Sequence, residues 1–117
     1  MVNKLVYLVE AKRTPQVKAG LELKDVAAPF LGSSLLRSIL DSTDIPNSEV
    51  DEVIVGNTGA PAKYANVSRV IALTAGLDQS ISASTVHRNC ASGMEAISQG
   101  CLKILSGRSH IVFAGGV

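Results

Sequence analysis

Aromatic residues are scarce in this sequence. It has no tryptophan, two phenylalanines and two tyrosines among 117 residues, so rings cannot organise a core and Val, Ile, Leu and Ala must fill it. Apolar residues still make up 46% of the chain, and branched aliphatics with many small residues suit layered α/β packing. An excess of one charge is missing too. Eleven Lys and Arg face ten Asp and Glu, a net charge of +1, which leaves no electrostatic footprint for nucleic acid or an anionic membrane. Neither is expected as a partner. The apolar run near the N-terminus, within Met-Val-Asn-Lys-Leu-Val-Tyr-Leu-Val-Glu, is too short for a membrane span and lacks a signal-peptide cleavage pattern. A soluble, cytoplasmic protein is the expectation. No metal-ligand spacing is present. The only cysteines, Cys90 and Cys101, fall in one helical pattern about three turns apart, a separation that excludes a disulfide between them.

What is present alternates. Lys4 to Glu10 is rich in Val and Leu and reads as a first strand buried on both faces. Ala11 to Gly20 is polar and punctuated by Pro and Gly, so an irregular loop is expected. Val26, Ala27, Phe30, Leu31, Leu35, Leu36, Ile39 and Leu40 form a wide stripe at helical period. Pro29 is tolerated only in a first turn, so this helix starts either at an Asp25 cap or near Ala28. Asp44 to Ser48 is a turn cluster, and Glu52 to Gly56 a short second strand. Asn66 is a good N-cap for a helix carrying Val67, Val70, Ile71 and Thr74, stopped by Gly76.

Ile81 to Val86 is a third strand. From Cys90 to about Ser106 the set Cys90, Met94, Ile97, Cys101 and Ile104 recurs at helical spacing, and Gly107 ends it. His110 to Gly115 is a fourth strand. This order predicts an α/β fold: one domain over residues 1–117, with a mostly parallel sheet and helices on both faces. The chain ends directly after a buried strand, which natural domains rarely do. A longer parent protein is expected.

Val86-His87-Arg88-Asn89-Cys90-Ala91-Ser92-Gly93 joins a strand to a helix, where parallel α/β sheets display reactive residues. A cysteine in a helix's first turn faces unpaired N–H groups and the positive end of the helix dipole, which favour the nucleophilic thiolate. The small residues Ala91, Ser92 and Gly93 leave room for a bulky thioester. A lone cysteine is nevertheless more often an inert core residue, and position alone brings the two readings level. Gly93, Gly100 and Gly107 are spaced by seven on one helix face. An interior glycine costs about 1 kcal/mol relative to alanine, so Gly100 should meet another helix or a partner chain. Cys101 reads as core packing.

Asn89-Cys90-Ala91-Ser92-Gly93 resembles the active-site cysteine motif of the thiolase family. Ala11-Lys12-Arg13-Thr14-Pro15 is similar to that family's loop after the first strand, and Val50 to Asn57 to its second strand. Asn66-Val67-Ser68-Arg69 is similar to its second helix start, and Ile111 to Val117 to the strand before its Glu-Ser-Met segment. These five motifs stand in order and span nearly the whole chain. The resemblance implies the N-terminal part of a thiolase, a half-domain that is incomplete here. Its activity would be acyl transfer between acyl-CoA and acetyl-CoA in lipid and fatty acid metabolism, by Claisen condensation or thiolytic cleavage. Cys90 would be the catalytic nucleophile, with CoA thioesters as substrates, no separate cofactor and no metal.

The resemblance also implies a homo-oligomer in the full-length form. It places the general base histidine, a second cysteine and one oxyanion site in later sequence, so this chain should lack turnover by itself. His87 and His110 are expected to be structural. Arg13 and Arg69 are expected to form surface or interdomain salt bridges rather than CoA contacts. Two alternatives stand beside this reading: a β-ketoacyl synthase, which also places a cysteine at such a turn, and a non-catalytic thiolase-like fragment.

Overall fold

The computed structural model describes residues 4–117. Three helices, α1 (Ala28–Thr43), α2 (Val67–Thr74) and α3 (Ser92–Leu105), alternate with three strands, β1 (Glu52–Gly56), β2 (Ser82–Val86) and β3 (Val112–Gly116). The strands form one parallel sheet in the order β2-β1-β3. Glu52 stands opposite Ser82 on one side and Val112 on the other, and Gly56 opposite Val86 and Gly116. The α/β architecture with a parallel sheet is therefore as the sequence implied.

Right-handed crossovers set the layers. The connection β1–α2–β2 steps one way across the sheet, and β2–α3–β3 steps back over β1. With both of the same hand, the two helices must lie on opposite faces. Alternate residues of β1 divide accordingly. Val53 and Val55 join Val67, Ile71 and Ala72 of α2 and Leu36 and Leu40 of α1 in the main apolar core. Glu52, Ile54 and Gly56 face α3. β1 is buried at every position, because it is the central strand and is covered on both faces.

Local signals place most boundaries. Asn66 caps α2 by accepting a hydrogen bond from the Arg69 N–H at 3.2 Å, and Gly76 ends it with φ at +91°, a value that glycine adopts without strain. α1 begins at Ala28 with Pro29 in its first turn and Ala27 as a cap without side-chain bonding, so Asp25 has no capping role. Its buried residues are Pro29, Ser33, Leu36 and Leu40, whereas Phe30 at the edge of the expected stripe is 49% exposed.

The expected first strand is not a strand. Residues 4–10 lie outside the sheet, with Leu5, Tyr7, Leu8 and Val9 between 64% and 85% exposed. An apolar run records that burial is favourable, but a strand also needs a pairing partner, and neither outer edge of the sheet, on β2 or on β3, pairs with this segment. At its end, Ser42 donates to Glu10 at 3.4 Å and Lys12 donates to Ser42 at 2.8 Å, which ties the chain to α1. No described helix is long and apolar enough to cross a membrane.

Candidate active site

Neighbouring strands β1 and β2 are followed by helices on opposite faces, so the chain diverges at their carboxyl ends and leaves a crevice there, the usual place for a ligand in an open parallel sheet. The loop from β2 to α3 occupies this crevice. It is pinned to the end of β1 by the Asn57 N–H, which donates to the Val86 carbonyl at 3.0 Å. The Asn57 side chain donates to the Val117 carbonyl, just past β3, at 2.8 Å and accepts from the Ala60 N–H of its own loop at 2.8 Å.

Cys90 stands on that loop and is exposed. It is not in the first turn of α3, as its helical spacing suggested. The helix starts at Ser92 with Ala91 as its cap, so Cys90 precedes the cap by one residue. A tight turn takes up the intervening residues. Ala91 N–H donates to the Arg88 carbonyl at 3.0 Å and Ser92 N–H to the Asn89 carbonyl at 3.2 Å, with Asn89 in the left-handed region at φ +48°. Asparagine is among the few non-glycine residues that accept this conformation.

The buried Ser92 hydroxyl staples the turn by accepting from Arg88 N–H at 2.8 Å and donating to the Asn89 carbonyl at 2.6 Å. Arg88 also pairs with Glu95 of α3. Hydrogen bonds from Gln99 and from Arg88 hold the Glu95 carboxyl below the ordinary carboxylate range.

α3 approaches the sheet closely because the face it turns inward is small. Its buried residues are Ser92, Ala96 and Gly100, whereas Met94 and Ile97 are 67% and 45% exposed. The apolar stripe that defined the helix in the sequence therefore faces away from the sheet, and Cys101 is half-buried rather than a core residue. Backbone meets backbone at the site. A Cβ placed on Gly56 would lie 2.2 Å from the Ser92 carbonyl carbon, and one on Gly93 would lie 3.5 Å from Gly116 Cα. A Cβ on Gly100 would lie 3.2 Å from Val112 Cγ1, so within this chain its close neighbour is β3 rather than another helix.

The other expected residues fall as follows. His87 is exposed and its Nδ1 accepts from Asn89 N–H at 3.3 Å, a bond within the turn. His110 is exposed, and its backbone N–H donates to Asp51 at 2.6 Å. Arg69 donates to the carbonyls of Ile81 and Gln79, each at 2.7 Å, and Arg13 to that of Thr14 at 3.1 Å. Both arginines bond backbone carbonyls, and neither forms a salt bridge among the described residues. Among the described residues no group of three or more His, Cys, Asp or Glu is placed to hold a metal ion. Sequence reasoning missed the roles of Asn57, Asn89 and Ser92. An Asn directly before a strand-to-helix cysteine and a Ser two residues after it were the available signals for the last two.

The fold is a three-layer α/β unit with a cysteine at a strand-to-helix turn, and comparison with known proteins gives its family. The family model described as "Thiolase, N-terminal domain" matches residues 6–117, and the chain belongs to the thiolase family. An acetyl-CoA acetyltransferase of Schizosaccharomyces pombe is 42% identical over 116 residues, which are 99% of this chain and 29% of that protein. The crystal structure of the Bacillus anthracis acetyl-CoA acetyltransferase matches with a TM-score of 0.82 at 36% identity, over 85% of this chain and 25% of that one. A thiolase from Ascaris suum, solved in complex with coenzyme A, matches with a TM-score of 0.80 at 28% identity over 84% of this chain and 26% of that one. The chain thus spans less than a third of the length of these relatives.

Proposed function

We propose that this chain is the nucleophile-bearing part of a thiolase-type acyltransferase, with Cys90 as the nucleophile. The observation that carries the reading is the exposed cysteine in the crevice at the carboxyl ends of β1 and β2, within a chain of the thiolase family. Cys90 sulfur attacks the carbonyl carbon of an acyl-CoA, the bond from that carbon to the CoA sulfur breaks, and CoA leaves with the proton that Cys90 gave up. The methyl carbon of acetyl-CoA then gives up a proton to a base from the later part of the full-length protein and bonds to the acyl carbon, the bond from that carbon to the Cys90 sulfur breaks, and the proton returns to the sulfur; the reverse cleavage runs the same steps backwards with CoA as acceptor. The free N–H groups at the start of α3 assist the oxyanion of the tetrahedral intermediate.

The substrates are CoA thioesters, no separate cofactor takes part, and the setting is the cytoplasm. The full-length form is a homo-oligomer. This chain alone acylates but does not turn over, because the family's base and second cysteine belong to later sequence and each acid–base group contributes about 10²–10⁴-fold.

Incubation of the 117-residue chain with acetoacetyl-CoA, followed by peptide mass spectrometry and a thiolysis assay, tests both statements. Acetoacetyl or acetyl mass on the Cys90 peptide without sustained CoA-dependent cleavage is expected, and Cys90→Ala abolishes it. Acylation of Cys101 in preference to Cys90 would overturn the assignment, and robust Cys90-dependent turnover would show that a base is present in this chain.

A further inference from the structure

The turn that carries Cys90 is held by one buried side chain. Asn89 sits in the left-handed region at φ +48°, a conformation that asparagine accepts. One hydroxyl fixes the turn around it: Ser92 Oγ lies 2.8 Å from Arg88 N and 2.6 Å from Asn89 O. Ser92 is only 4% exposed, so water does not replace those bonds when the hydroxyl is gone. Its own backbone is fixed in turn by the close approach of Gly56, which has no Cβ to keep β1 away from it. The hydroxyls of Ser98 and Ser106 have no such reach; Ser98 is exposed and Ser106 donates to Lys103 within its own helix.

We propose that Ser92 is the positioning residue for Cys90. Its hydroxyl locks residues 88–91 in the turn that keeps the cysteine one residue before the cap of α3. The turn thereby fixes where the sulfur stands relative to the start of α3. The proposal rests on the reading of Cys90 as nucleophile for its functional meaning, but the turn geometry stands without it.

The test uses the 117-residue chain with Ser92→Ala, Ser92→Thr and Ser98→Ala. Amide exchange by NMR reports the turn, and iodoacetamide reports Cys90, with Cys101 as internal control for general loosening. In Ser92→Ala the Arg88 and Ala91 amides exchange about tenfold faster and Cys90 alkylation slows by about the same factor, the consequence of losing one buried hydrogen-bonded bridge. Cys101 alkylation and the amides of the α3 interior stay within about twofold. Ser92→Thr, which keeps the hydroxyl, restores both readouts, and Ser98→Ala changes neither. An unchanged Cys90 rate in Ser92→Ala overturns the proposal. So does a parallel rise at Cys101, which would make Ser92 an ordinary core residue. Normal Ser92 behaviour with no acylation of wild-type Cys90 by acetoacetyl-CoA would sink the nucleophile reading alone.

Discussion

Replacing Gly56 by alanine probes the contact on which the site is built. A Cβ there would sit 2.2 Å from the Ser92 carbonyl carbon, 2.3 Å from its oxygen and 2.5 Å from Gly93 N, where ordinary contact begins near 3.4 Å. All three atoms are backbone, so no rotamer change relieves the clash. The first turn of α3 must retreat by about 1 Å, or β1 must leave register with β2 and β3. Overpacking a fixed core typically costs 1–3 kcal/mol, and with main chain on both sides Gly56→Ala belongs at the top of that range, about 3 kcal/mol. With a urea slope of about 1–3 kcal/mol per molar, the midpoint falls by about 1–3 M.

Gly115→Ala is the matched control on the neighbouring strand. Nothing lies within 4 Å of a Cβ at that position, so the change is neutral or stabilises by about 0.4–1 kcal/mol through the unfolded chain. Urea denaturation followed by circular dichroism compares the two. If Gly56→Ala unfolds at the same urea concentration as Gly115→Ala, the backbone-on-backbone account of the α3 start is wrong.

Lys103→Met strands the buried Glu52 carboxylate, whose other side-chain partner is the Ser84 hydroxyl at 3.5 Å. The expected loss is about 2–3 kcal/mol, below the range for a fully buried pair because the lysine is partly exposed, and adding Glu52→Gln should recover part of it in the same denaturation assay. Asn66→Ala removes the α2 cap together with the bonds to Thr85 and Ala83; a loss of about 1–2 kcal/mol is expected, and a thermal melt that does not move would contradict the capping role. Hydrogen bonds from the His110 and Ile111 N–H groups lower the pKa of Asp51 from 3.8. A lowered folded-state pKa stabilises above the unfolded value and is lost as pH falls through the folded one. The stability advantage of wild type over Asp51→Asn should therefore be constant above about pH 5 and shrink below pH 4, and an advantage that grows on acidification would refute the assignment.

Features set by neighbours in the chain could be read from the sequence. The strand at residues 52–56, the Asn66 cap, the Gly76 stop and the alternation that implies a parallel α/β sheet all rest on backbone preferences and short-range periodicity, which operate before any tertiary contact forms. The motif around Cys90 marked the site for the same reason, since a small-residue stretch between a strand and a helix is a local pattern. Three matters were decided only in the folded molecule. Periodicity shows that α3 has an apolar stripe but not which face meets the sheet. Close approach to β1 and β3 selects the small face of Ser92, Ala96 and Gly100 and leaves Met94 and Ile97 outside.

The run at residues 4–10 has the composition of a buried strand, yet a strand exists only where another edge receives its hydrogen bonds. Cys90 fell out of the helix because Asn89 turns left-handed and the Ser92 hydroxyl reaches back across it. That bond joins residues only a few positions apart, yet whether it forms depends on Gly56 of a different strand admitting the Ser92 backbone. The sequence by itself determined most of the helices and strands and the strand-to-helix position of Cys90; packing decided that residues 4–10 stay outside the sheet, which faces are buried and how that cysteine is held, because those depend on contacts between residues far apart in the chain.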